Sequence, residues 1–200
     1  MPDPESASPL TVTDLACRRG GRLVFAALSF RLAAGRALLV TGPNGAGKSS
    51  LLKLLAGLLA PAGGTLERPG HIAYLGHDNA LKAVLSVEEN LRFWAGLSGG
   101  AAVEDRLARA LDVTGLAALA DVPARLLSAG QKRRAGLARV LASGAPLWLL
   151  DEPTVGLDTA SIDRLGPAFS AHLEGGGMIV ATSHVPLPLG APEQLAMGGR

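Results

Sequence analysis

The chain has 200 residues, the length of one sizeable domain or of one domain with a small insertion. Hydrophobic residues make up 48% and aromatics only 4%, enough for a core of Leu, Ala and Val, while a net charge of +2 is too slight to argue for nucleic acid. The single Cys17 excludes an internal disulfide and reads as a small buried hydrophobe suited to a reducing compartment.

The opening MPDPESASPL lacks a basic start followed by an apolar run, so no secretory signal is expected. LTVTDLAC and LVFAALSF then read as two strands separated by the basic turn RRGGR. RALLV, bounded by Gly35 and Gly42, is an apolar run of the buried-strand type. It leads into TGPNGAGKSS and the helical LLKLLAGLL, an apolar stretch that Lys53 and Pro61 break well short of a membrane span. HIAYL is a further strand. At Ser86 the pattern changes: Ser86 suits a cap, Glu88 and Glu89 suit a first turn, and Val87, Leu91, Trp94 and Leu97 recur at helical spacing. Trp94 therefore reads as core, whereas Phe93 points about a hundred degrees away, toward solvent or a partner. After SGG a second helix is expected from Val103 to Val113, and PLWLLD and GGMIVATS return to strand. This order predicts a parallel α/β core interrupted by a helical insertion.

GPNGAGKS, Gly42 to Ser49, matches G-x-x-x-x-G-K-[ST] between a strand and a helix. Glycines at Gly42, Gly45 and Gly47 let successive N–H groups turn inward toward phosphate oxygens, and the helix start adds its positive end. Lys48 supplies a cation for the β- and γ-phosphates, and the Ser49 hydroxyl is a hard ligand for Mg²⁺. The pattern predicts a nucleoside triphosphate site. LWLLDEP delivers Asp151 and Glu152 to the carboxyl edge of a sheet, where Asp151 holds the metal through water and Glu152 polarises the attacking water. His184, ending IVATSH, is placed to bond a γ-phosphate oxygen. Ser128, in LSAGQ, is a helix N-cap type, and Arg133, Arg134 and Arg139 on the following helix read as a solvated basic face.

Taken in order, the phosphate loop, LSAGQ, the hydrophobic run ending in DEP, GLD and TSH resemble the ATP-binding cassette ATPases over nearly the whole chain. LSAGQ is similar to their LSGGQ signature, with Ala129 in place of one glycine. The resemblance implies an ABC-type nucleotide-binding domain: a P-loop α/β core with a mixed sheet over residues 1–85 and 129–200, and a helical subdomain over 86–128. It implies an ATPase using ATP and Mg²⁺, with catalysis by Glu152, His184 and Lys48. Nucleotide contacts fall on Gly42, Pro43, Asn44, Gly45, Ala46, Gly47, Lys48, Ser49 and Ser50, and metal contacts on Ser49 and Asp151. In that family Ser128 and the N–H groups at Gly130 bind the γ-phosphate held by a second subunit. An ATP-dependent homodimer is thus implied, with Gln131 and Asp158 also at the nucleotide.

YLGHDNALK, LSVEENLRFW and LSAGQKRR are similar, more narrowly, to the ATP-binding subunits of the cytochrome c maturation haem exporters. That likeness implies membrane subunits resembling CcmB and CcmC with CcmD, an indirect link to the haem chaperone CcmE, and a peripheral place on the cytoplasmic face of the bacterial inner membrane. It implies release of haem-loaded chaperone rather than simple pumping. The alternative is a soluble cassette ATPase not coupled to transport, although the doubled cassettes, coiled coils and zinc hooks of such proteins are missing. Two departures stand out. The region that usually stacks an aromatic on adenine reads ACRRGGRL, leaving Arg19 either to stack its guanidinium on the base or to be an exposed turn residue. Asp78 aligns with the usual glutamine, either as a metal ligand or as a loop acid, and His77 reads as structural.

Overall fold

In the computed structural model, which describes residues 8–97 and 102–198, the chain opens with an antiparallel sheet. β1 (Leu10–Arg19) pairs with β2 (Arg22–Leu32) on one edge and β4 (Gly63–Glu67) on the other. Leu10 and Val12, then Leu15 and Cys17, are buried, and a register shift around Asp14 at φ 51° resets the alternation between the two pairs.

The second sheet is parallel. β3 (Ala37–Thr41), β5 (Ile72–Leu75), β6 (Leu147–Asp151), β7 (Met178–Thr182) and β8 (Glu193–Ala196) stand in the order β5-β6-β7-β3-β8. Every residue of β6 and β7 is buried, as befits strands covered on both faces. Registers Val40 with Thr182 and Asp151 with Thr182 bring three carboxyl ends side by side, the edge where such sheets hold ligands.

α1 (Lys48–Leu55) buries Leu51, Leu52, Leu54 and Leu55 in a core drawn from both sheets. It stops short of the expected GLL because Gly57 takes φ 75°. α2 (Val87–Leu97) begins at the expected Ser86 cap, and Glu89 completes a capping box: the Ser86 N–H donates to Glu89 Oε2 (2.7 Å) and the Glu89 N–H to Ser86 Oγ (3.1 Å). Its buried face differs from the expected stripe. Val87, Asn90, Leu91 and Ala95 face inward, Trp94 is half-buried and Leu97 is 64% exposed. Asn90 causes the rotation, since its amide donates to the Lys82, Leu85 and Ser86 carbonyls and accepts the Lys82 N–H, stitching the preceding loop to the helix.

α3 (Val103–Val113) lies as expected, and the SGG break falls outside the described residues. α4 (Ala129–Ala142) gives Ala135, Ala138 and Ala142 to the cluster with α2 and α3, and Leu137 and Val140 to the cluster under the sheet. It is the bridge between the two. α5 (Thr159–Asp163) and α6 (Leu165–Glu174) follow, with Leu165 and Phe169 packed on Trp148 and Ile179. No described helix is long and apolar enough to cross a membrane.

Candidate functional site

The loop between β3 and α1 needs glycine for steric reasons. Gly42 takes φ 137°, and a Cβ there would lie 2.3 Å from the Met197 carbonyl oxygen. Gly47 caps α1 at φ 99°, and a Cβ would sit 2.7 Å from Val24 Cγ1. Lys48 Nζ donates to the carbonyls of Gly42 (2.8 Å) and Pro43 (3.1 Å), which folds its charge back over the loop. Arg19, Asn44, Gly45, Gly47, Lys48, Ser49, Ser50, Asp151, Glu152 and His184 line one cleft of about 530 Å³, together with Val24 and Lys53.

Thr182, at the end of β7, organises the carboxylates. Its hydroxyl donates to Asp151 Oδ1 (2.8 Å) and accepts the Glu152 N–H (3.0 Å), which also points at the Thr182 carbonyl (3.2 Å). Glu152 stands at φ 49°, the left-handed region that a side chain rarely occupies. Its Oε2 accepts the His184 N–H (3.2 Å), and His184 Nε2 lies 3.5 Å from Oε1. Chemically, the arrangement sets a carboxylate, held by a backbone N–H and flanked by an imidazole, beside a cationic anion-binding loop, a placement from which a carboxylate can act as a general base.

Ser49 and Asp151 supply hard oxygen donors of the kind Mg²⁺ prefers. Among the described residues no group of three His, Cys, Asp or Glu could hold a metal ion, so phosphate oxygens and water would have to complete the shell. Asp78, read as either a metal ligand or a loop acid, is exposed and does not line the cleft.

Two arginines correct the sequence reading. Instead of a solvated face, α4 buries Arg133 (8% exposed) and Arg139 (4% exposed), while Arg134 is half-buried with Nη1 on the Thr114 and Gly115 carbonyls. Arg139 Nη2 donates to the Tyr74 carbonyl (2.6 Å), and its guanidinium lies 4.7 Å above the Trp94 ring. Burial pushes its pKa down to about 10. Arg133 binds the cleft's own backbone: Nη2 donates to the carbonyls of Asp151 and Glu152, both at 2.6 Å. Small residues on both faces of α4, including Gly136 against Leu75 and Asn79, were the one sequence signal that this helix is enclosed.

The signature residues stand apart from the cleft. Ser128 caps α4: the Gln131 N–H donates to its Oγ (3.3 Å), and Gln131 Oε1 accepts the Ser128 N–H (2.8 Å). Asp158 caps α5 by accepting the Ser161 N–H (2.7 Å), the bond that chiefly lowers its pKa. Ser128, Gly130, Gln131 and Asp158 are all missing from the cleft lining.

With this geometry in place, the profile of the ABC transporter family matches residues 25–155. The chain belongs to the ABC transporter family. It is 51% identical to the cytochrome c biogenesis ATP-binding export protein CcmA of Paramagnetospirillum magneticum, over 95% of this chain and 94% of that one. Its likeness to the protein of the same name from Gluconobacter oxydans is 52%, over 90% of this chain and 83% of the other. Among solved structures, the ATP-binding subunit of an ABC transporter superposes with TM-score 0.82 at 26% identity, over 88% of this chain and 80% of that one. A metal-chelate type ABC transporter in an inward-facing conformation gives 0.76 at 29% identity, over 94% of this chain and 79% of its own. This ABC ATPase therefore binds and hydrolyses ATP, and as the ATP-binding subunit of an ABC system it works with membrane subunits.

Proposed function

We propose that this ABC ATPase powers a membrane complex of cytochrome c maturation, in which hydrolysis drives haem export or the release of haem-loaded chaperone. The support is its half-identity, over nearly the full length of both chains, to relatives named as cytochrome c biogenesis export ATPases. The partners are membrane subunits like CcmB and CcmC with CcmD, and CcmE indirectly, on the cytoplasmic face of the inner membrane. Residues 86–128 serve as the helical subdomain. Phe93, 44% exposed on α2 under Lys82 Nζ at 4.8 Å, is the contact offered to a membrane subunit.

The working unit is a dimer with ATP between two chains. Gly42 to Ser50 wrap the phosphates, Lys48 neutralises the β- and γ-oxygens, and Arg19 lies under the base. Ser49 and Asp151 hold Mg²⁺, which supplies charge neutralisation on the phosphates when bound. Glu152 accepts the proton of the attacking water and His184 steadies the γ-phosphate side of the cleft. Ser128, Gly130, Gln131 and Asp158 close the site from the facing chain, which their position outside their own cleft supports. Glu152→Gln tests this reading. Hydrolysis is expected to fall about 10²- to 10⁴-fold with ATP binding intact. An unchanged single-turnover rate would remove Glu152 from the chemistry. For the pathway, the chain should be pulled down from membranes by tagged CcmB-like subunits, and failure to do so would remove the assignment to cytochrome c maturation.

A further inference from the structure

Arg133 is buried, yet among the described residues it forms no ion pair with a carboxylate. Its two Nη groups go instead to three backbone carbonyls and the Asn79 amide oxygen, while its buried Nε has no partner among the described residues. Nη2 reaches the Asp151 and Glu152 carbonyls at 2.6 Å each, and Nη1 reaches the Gly76 carbonyl (2.7 Å) and Asn79 Oδ1 (3.1 Å). Successive carbonyls of an extended strand point to opposite sides. The φ of 49° at Glu152 turns the two carbonyls to the same side, and the two hydrogens of a single Nη2 satisfy both. The backbone conformation that aims the Glu152 side chain at the cleft is thus the conformation that the guanidinium fits.

We propose that Arg133 is the positioning residue of the Glu152 carboxylate. It clamps the left-handed turn that carries Glu152 and ties that turn to the helix capped by Ser128 and to the loop after β5. The guanidinium's flat, forked donors match this set of oxygens, and a lysine's single nitrogen cannot reach both ends of it. Gly136, one turn further along α4, keeps the helix close to Asn79, where a Cβ would meet Asn79 Oδ1 at 3.0 Å. A shift of the α4 N-terminus is therefore passed to the Glu152 peptide through a rigid helix and a four-bond clamp.

The inference rests on Glu152 being the base, and the test separates the two. Single-turnover hydrolysis and nucleotide affinity are measured for the full chain, Arg133→Lys, Arg133→Gln, Glu152→Gln and the double variants. Each Arg133 substitution should slow hydrolysis about 10²-fold while changing nucleotide affinity by less than about threefold. In the Glu152→Gln background the same substitutions should cost less than about twofold, because the group they position no longer acts as a base. Equal losses in both backgrounds, or losses matched by weaker nucleotide binding, would overturn the proposal. So would loss of cooperative melting in both Arg133 variants, which would make the clamp a stability element. A Glu152→Gln protein with an undiminished rate would instead refute the base itself, and this inference with it.

Discussion

Thr182 performs two tasks with one hydroxyl, donating to Asp151 Oδ1 and accepting the Glu152 N–H. Thr182→Val keeps the shape and removes both bonds. Each polar group left short of a buried partner costs about 1–3 kcal/mol, so a urea titration should show a loss in that range. Hydrolysis should fall more than nucleotide affinity, and an unchanged ratio of the two would show that Thr182 only stabilises the strand end. Arg19 poses a different question, because it lines the cleft on a segment, ACRRGGRL, that offers no aromatic ring to stack on a base. Stacking of an aromatic on a base is worth about 1–3 kcal/mol, and without it ATP and GTP should bind within about tenfold of each other. A larger preference, measured by calorimetry, would mean that another side chain reads the base. Arg19→Ala should weaken both nucleotides alike.

At the scale of elements, α4 begins as a capped helix and ends as a buried strut. Ser128→Ala removes the cap bond and should cost about 1 kcal/mol in a denaturant titration. A neutral result would show that the Gln131 half of the box suffices. The motifs that build the cleft were legible in the sequence because each sits at a forced junction: strand to glycine loop to helix, or apolar strand to DEP. β4 and β8 were not legible, since GGTLE and EQLA carry little apolar pattern and each lies at the edge of its sheet. α6 was hidden by Gly166 and Pro167 in its first turn, where proline is tolerated. The buried arginines were misread for a deeper reason. A basic residue on a helix is ordinarily solvated, and only the tertiary fold brings the carbonyls of Tyr74, Gly76, Asp151 and Glu152 to α4. The Trp94 stripe failed likewise, because Asn90 bonds to a loop that periodicity does not see.

Across the whole molecule, the end of the sheet opposite the cleft holds a titrating group of its own. His172 stacks on Trp148 at 3.7 Å and 8°, and burial pushes its pKa from 6.5 down to about 4. The neutral ring is the native form, so its contribution is full above pH 6.5 and is lost as pH falls through the window toward 4. Melting temperature should drop across that window and His172→Phe should flatten the drop; identical profiles for both proteins would show that other groups control acid stability. At the other end lies the proposed dimer, with ATP held between two chains. Light scattering of Glu152→Gln tests it most directly. In Mg-ATP the mass should double, and the Ser128→Glu change, which sets a carboxylate against the facing γ-phosphate, should abolish the doubling. A Glu152→Gln protein that binds Mg-ATP, no longer hydrolyses it and remains a single chain would contradict the account.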